Sequence, residues 1–432
     1  MTAVAAALIA RGHRVDAYTG EKYADAFADL GCGIVPWRAA QDFDERDLAD
    51  SFPGVARSGF GGAIANMREI FIGTAAGQVA DLRDAHRRDR FDAFIGDLLA
   101  LGTGLAAEML NCPWVSVCPV PLTLPSSDLP PSGFALRPGR SALGRVRDRA
   151  LRAGAPAVGA SIERAFQSVR DDLDLGPGLP FAEAIYSSQL TLATGSSSLE
   201  FPRSDLPETV KFVGRLAPKG PPMGPPPLWA ETLSDEPRPV IFITQGTFDT
   251  DPHDLLLPAL EGLAEMPVRV IGTTAGMPIS RVPANARLVD FVPFRSVVPH
   301  ASVGITNGGW GGVLEMLSYG VPLVVAGGTL DKPEVAARVA WAGAGLDLRS
   351  AHPRPARIAA AARRLLRDPS YRTRAQRIAT DLEGLGGARR AAELIDRLIS
   401  PGSPEADRSS GLLADRQRQS EEAPDPQTDR AA

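Results

Sequence analysis

Short apolar runs, each closed by turn residues and followed by a helical pattern, recur along both halves of this 432-residue chain. No other feature constrains the fold as strongly. Strands buried on both faces read as continuous apolar runs, and helices between them impose a parallel sheet. In the first half the runs are His13–Thr19, Phe91–Asp97, Pro113–Cys118, Gln189–Thr194 and Val210–Gly214. In the second they are Val240–Thr244, Val268–Ile271, Arg287–Phe291, Val303–Thr306, Pro322–Ala326 and Gly345–Leu348. Between the two series, six prolines fall within residues 218–227. Residues 215–238 therefore read as an extended, semi-rigid linker. The expected fold is α/β: two doubly wound parallel-sheet domains facing a cleft, over residues 1–214 and 239–400.

Other segments are legible from composition. Pro119–Gly139 is rich in proline and serine and too long for a plain connector. Ser141–Leu173 reads as one or two helices, and residues 355–400 as helical, with a last helix at about 388–400 crossing back to the first domain. The tail, 401–432, has four Arg against seven Asp or Glu and little aliphatic content, so it is expected to be disordered.

Composition excludes several classes of function. Lys and Arg total 46 against 51 Asp and Glu, a net charge of −5 with no basic stripe, so no nucleic-acid partner is expected. No apolar run approaches the roughly 18 residues of a transmembrane helix. Three scattered cysteines, Cys32, Cys112 and Cys118, fit neither a disulfide framework nor a zinc ribbon. They fit a reducing compartment, and the cytoplasm is the expected location. Five histidines without an H-E-x-x-H exclude a zincin, and no metal site is expected.

The chemistry-bearing features lie in the second half. Thr306–Gly312 follows a strand, opens a helix expected over Val313–Tyr319, and carries four glycines in five residues. Main-chain N–H groups at such a turn, with the positive end of a helix dipole, suit a phosphate. Gln245-Gly246-Thr247 forms a second turn after the strand Val240–Thr244. Two such turns at the carboxyl ends of parallel strands mark the place where α/β sheets gather ligands. No G-x-x-x-x-G-K-[ST] or G-x-G-x-x-G occurs, which excludes a P-loop and disfavours a dinucleotide site.

Asp290–Ala336 resembles the donor-site signature of UDP-glycosyltransferases, GT-B enzymes that glycosylate small lipophilic acceptors, most closely their bacterial macrolide-type branch. The matching residues are Phe291-Val292-Pro293-Phe294, Asn307–Gly312, Glu315, Gly320-Val321-Pro322 and Asp331-Lys332. The resemblance implies that Phe291 stacks on the nucleotide base and that the Val292 main chain bonds the base edge. It implies that Gly246 and Thr247, with Asn307 and the amides near Gly309, Gly311 and Gly312, hold the diphosphate. Glu315 would bond the ribose, and Asp331 and Lys332 the sugar. Asn307 stands where the family usually has His, and Lys332 where it has Gln. A surface lysine with no role is the alternative for Lys332.

The resemblance also implies inverting transfer without cofactor or metal, from a UDP- or dTDP-sugar to a lipophilic small molecule of polyketide, sterol, glycolipid or phenolic type. Asp97 matches the acid that orients the family's catalytic His; its alternative is a helix N-cap for Leu98 onward. That His belongs to a Gly-His-x-x-Pro turn after the first strand, whereas this chain opens on an apolar helix, Thr2–Arg11. About 15–20 further residues, a strand and its turn, are expected upstream. The in-frame DNA before Met1 tests this. His300 falls on a frequent family His and reads as structural. Two rivals stay open: a catalytically dead binding or partner protein, and a GT-B sugar-nucleotide epimerase.

Overall fold

The computed structural model describes residues 1–44, 48–52, 59–216, 227–246, 251–328 and 330–400. The expected tail at 401–432 lies outside them, as does Thr247.

The N-terminal domain starts with α1 (Thr2–Ile9), whose alanines and leucine favour helix. Strands β1 (Asp16–Thr19) and β2 (Gly33–Pro36) pair with each other in parallel. Helix α2 (Ala75–Arg88) leads to β3 (Phe94–Asp97), α3 (Leu101–Leu110) and β4 (Trp114–Cys118). Residues 119–139 carry no helix or strand, as expected of that loop. Ser141 then caps α4, a single helix over Ala142–Asp172 that runs through Pro156. Strands β5 (Leu190–Thr194) and β6 (Val210–Gly214) complete a parallel sheet in the order β3-β4-β5-β6.

The domain is therefore doubly wound but its strands form two sheets, one of two strands and one of four. Helix α1 joins them. Val4 and Leu8 pack with Val115, Val117 and Leu192, while Ala5 packs with Ala17 and Cys32. Asp81 on α2 fixes the smaller sheet. It accepts hydrogen bonds from the main-chain N–H groups of Arg38, Ala39 and Ala40 at 3.0, 2.9 and 3.2 Å, and from the Tyr18 hydroxyl at 2.9 Å. Burial pushes the Asp81 carboxyl up, but these donors outweigh it and hold the carboxyl below its ordinary range. Asp81→Ala is expected to cost about 3 kcal/mol in urea unfolding at pH 7. Because the folded-state pKa is depressed, the contribution is present above about pH 4 and fades as pH falls through the lowered value. A cost that grows toward acid pH would contradict this.

The second domain is one six-stranded parallel sheet. Its strands are β7 (Val240–Thr244), β8 (Arg269–Thr273), β9 (Ala286–Val289), β10 (Ala301–Thr306), β11 (Leu323–Val325) and β12 (Gly345–Asp347). The order is β12-β11-β10-β7-β8-β9. Strand β7 shows why both faces are covered. Ile241 and Ile243 enter one core, and Val240 and Phe242 the opposite one. Helices α5 (Trp310–Ser318), α6 (Lys332–Trp341) and α7 (Pro369–Gly384) follow.

One boundary departs from expectation. The described end of the linker is folded, with a short helix at Leu228–Glu231 and a turn at Thr232–Asp235. Leu233 enters the core beside Val240 and Phe242, and the Trp229 ring lies under the Arg287 guanidinium. Apolar side chains there outweigh the extended bias of the prolines. The last helix, α8 (Gly387–Ile399), does cross back: Ala391, Ala392 and Ile395 pack on β4, β5 and β6. Its Asp396 accepts from Arg11 and pairs with His13.

Candidate functional site

Strands β7 and β10 are neighbours, with Thr244 opposite Thr306. The two turns that follow, Gln245-Gly246 and Asn307–Gly309, therefore emerge side by side at the carboxyl end of the sheet. Asn307 is buried between them. Its amide nitrogen donates to the Gln245 carbonyl, and its carbonyl oxygen accepts from the Gly309 N–H at 3.3 Å. The side chain expected on the diphosphate thus stitches the two turns together. Gln245 is anchored in turn, its side-chain oxygen accepting from the Leu256 N–H at 3.0 Å.

Gly308 adopts φ +95°, and a Cβ there would lie 3.0 Å from Val325 and 3.2 Å from the Lys332 carbonyl oxygen. Only glycine fits both the dihedral and the gap. Helix α5 begins at Trp310, three residues earlier than expected, because Gly309 already takes the cap position. Its first intrahelical bond runs from Val313 N–H to the Gly309 carbonyl at 3.0 Å. The N–H groups of Trp310, Gly311 and Gly312 precede that bond and have no acceptor within the helix. A Cβ at Gly311 would meet nothing within 4 Å, so the helix start is open there.

Two of the flanking residues, Phe294 and Lys332, reach this start. Phe291 is 64% exposed, an aromatic face presented to solvent. Val292 beside it is fully buried and fixes the segment. The Phe294 ring packs edge-on against Phe242 at 5.1 Å and lies 3.6 Å from where a Gly312 Cβ would sit. The backbone of Lys332 lies against Gly308 and Gly327, and Lys332 itself is 7% exposed. That burial excludes the solvated-surface alternative. Burial also raises the carboxyl of Asp331 just before it. Leu330 sits at φ +54°, a conformation a branched side chain rarely adopts. Lys332→Gln is expected to change the relative affinities of UDP-glucose and UDP-galactose at least fivefold, with bare UDP within twofold. Equal responses in calorimetric titration would remove its sugar-reading role.

Glu315, on the next turn of α5, forms an ion pair with Arg215, the residue that leaves β6. Trp310 reaches the N-terminal domain, donating its indole N–H to the Thr194 hydroxyl at 2.8 Å. Sequence reading found neither partner. A lone Trp within a glycine run is the one visible sign of the second.

Asp97 ends β3, where its carboxylate accepts from the Leu99 N–H at 3.0 Å. Helix α3 starts only at Leu101, with Ala100 at its cap position, so Asp97 caps a turn and not the helix. Burial pushes its carboxyl up, opposed by the Leu99 N–H and by the Met1 α-amino group. Asp97 lines a groove of about 680 Å³ whose wall includes Leu101, Leu105, Phe166 and Tyr186. The Tyr186 hydroxyl holds Thr123, at the base of the 119–139 loop, at 2.9 Å. None of the five histidines partners Asp97. His13 pairs with Asp396, His253 with Asp251 and His352 with Asp254. His86 accepts from the Phe91 N–H. His300 closes the turn that enters β10, at the end of the sheet opposite the glycine turns.

Residues 258–398 match the family described as erythromycin biosynthesis protein CIII-like, C-terminal domain. The chain is 36% identical over 408 residues to 4'-demethylrebeccamycin synthase of Lentzea aerocolonigenes, covering 92% of this chain and 96% of that protein. It is 32% identical over 406 residues to UDP-glucosyltransferase B1 of Starmerella bombicola, covering 87% and 90%. The crystal structure of the glycotransferase of kitacinnamycin superposes with a TM-score of 0.72 at 25% identity, covering 92% of this chain and 95% of that one.

Proposed function

The chain belongs to the UDP-glycosyltransferase-like GT-B glycosyltransferases, in their bacterial macrolide-type branch, and from that premise we propose inverting transfer from a nucleoside-diphosphate sugar to a hydroxyl of a lipophilic small molecule. One observation carries the donor half of this reading. Two turns on adjacent strands flank a helix whose first N–H groups are unspent and whose approach is open at Gly311. Such a start meets the charge that develops on a departing diphosphate.

In this reading the acceptor oxygen attacks the anomeric carbon while the bond from that carbon to the β-phosphate oxygen breaks, with inversion. The acceptor proton passes to a general base, the histidine that the resemblance pairs with Asp97 and that none of the five histidines here supplies, and the electron pair leaves with the nucleoside diphosphate. Phe291 stacks on the base, and Glu315, steadied by Arg215, bonds the ribose. Asp331 and Lys332 contact the sugar, and Thr247 completes the diphosphate turn. No metal takes part, and the location is the cytoplasm. The acceptor lies in the groove beside Asp97, where Leu101, Leu105 and Phe166 offer apolar contact and Glu108 and Arg170 polar contact.

A second reading is donor binding without turnover. Incubation with UDP-glucose or dTDP-glucose and a panel of phenolic and polyketide acceptors separates the two. Glycoside formation with release of nucleoside diphosphate supports transfer. Tight nucleotide binding with neither product supports the second reading, and a new sugar formed without acceptor would indicate an epimerase.

A further inference from the structure

Helix α6 carries more than the sugar-contact residues at its start. In its first and second turns it also holds a buried ionic network that reaches into the N-terminal domain. Arg338 is 2% exposed. Its Nε donates to Glu200 at 2.9 Å and its Nη1 to the Glu334 carboxylate at 2.8 Å, while its Nη2 donates to the Leu122 carbonyl at 2.9 Å. The guanidinium also lies over the Phe201 ring at 4.7 Å. Glu334 uses its other oxygen to accept from the main-chain N–H groups of Gly133 and Ala135, at 2.9 and 2.8 Å. The 119–139 loop is therefore tied to α6 at both ends, through Leu122 and through Gly133 and Ala135. Between these ties, Leu129 packs with Phe201 and Ala337.

We propose that Glu334 and Arg338 are positioning residues that transmit donor-sugar occupancy at Asp331 and Lys332 to the 119–139 loop of the acceptor domain. The inference rests on the donor reading above. Its physical basis is that α6 is one short, rigid rod, so a displacement of its first turn by a sugar displaces Glu334 with it. The Glu334 carboxylate is shared between a buried guanidinium and two loop amides. Leaving a buried charge unpaired is strongly unfavourable, so the loop follows the helix. Transfer thereby gains a link between the side that holds the sugar and the side that presents the hydroxyl.

Hydrogen exchange of the 122–135 segment tests this in the full chain. Saturating UDP-glucose or dTDP-glucose is expected to slow exchange at Gly133 and Ala135 at least fivefold, and bare UDP to do so less. Glu334→Ala should abolish the slowing while the Kd for UDP stays within twofold. Glu334→Gln should restore it in part, because its amide oxygen still accepts both N–H groups while its amide nitrogen cannot accept from Arg338. Arg338→Lys, which keeps the charge but loses the planar fork, should give a reduced response. A purely structural role would not separate the Ala from the Gln variant in a ligand-induced difference. Binding proven by titration with no change in exchange would overturn the coupling alone, as would slowing that survives Glu334→Ala. If neither nucleotide sugar binds, the donor reading fails and the coupling with it.

Discussion

Gly311→Trp is expected to abolish nucleoside-diphosphate binding while leaving the protein folded. Gly311 lies in the first turn of α5, where its side-chain direction meets nothing within 4 Å. A large residue there displaces no core atom, so circular dichroism and the melting temperature should stay close to wild type. It does fill the approach to the N–H groups of Trp310, Gly311 and Gly312, the donors available to a phosphate at the helix start. A loss of at least about 100-fold in affinity, roughly 2.7 kcal/mol, is the expected scale. Gly311→Ala separates bulk from backbone effects. In a helix it gains up to about 1 kcal/mol of propensity and adds a single methyl, so it should bind nearly as well and melt no lower. Unchanged affinity in the Trp variant would place the diphosphate elsewhere.

Asp97→Asn is expected to stabilise the protein at neutral pH and to remove transfer. Burial raises the Asp97 carboxyl above its ordinary range. A raised folded-state pKa means that its stability contribution is complete below about pH 4 and is lost as pH rises through the raised value. The Asn variant keeps an oxygen for the Leu99 N–H but carries no charge. Its advantage in melting temperature should be near zero at pH 4 and reach about 1–3 °C by pH 7 to 8. An acid that orients a base cannot be replaced by an amide without loss, and transfer is expected to fall by about three orders of magnitude. Stability that drops at pH 7, or transfer that persists, would remove Asp97 from the mechanism. A stability gain without function is the signature of a residue kept for chemistry.

The two glycine-bearing turns were legible in the sequence because every part of each is local. Strand, glycines and helix start lie within Ala301–Ser318, and the period of the apolar residues gives the strand. The crossing of α8 was readable from its place at the end of the helical segment. The helix starts were misread by three residues at both α3 and α5, since backbone caps at Ala100 and Gly309 carry no side-chain signal. The linker was read too long because proline content hid the apolar contacts of Trp229 and Leu233. The ion pairs were not legible at all. Arg338 meets Glu200 across 138 residues and Leu122 across 216, and Arg215 meets Glu315 across 100. No spacing rule reaches that far. The burial of Lys332 was equally hidden, since it follows from the packing of α6 against Gly308 and Gly327.

Calorimetric titration of the wild-type chain with UDP and with dTDP, in EDTA, tests the central claim most directly. A single site that binds at least one of them, with the same affinity when Mg²⁺ replaces EDTA, is the predicted result. Binding that requires the metal, or no binding of either diphosphate, would contradict a donor site built from Gly246, Asn307 and the open start of α5.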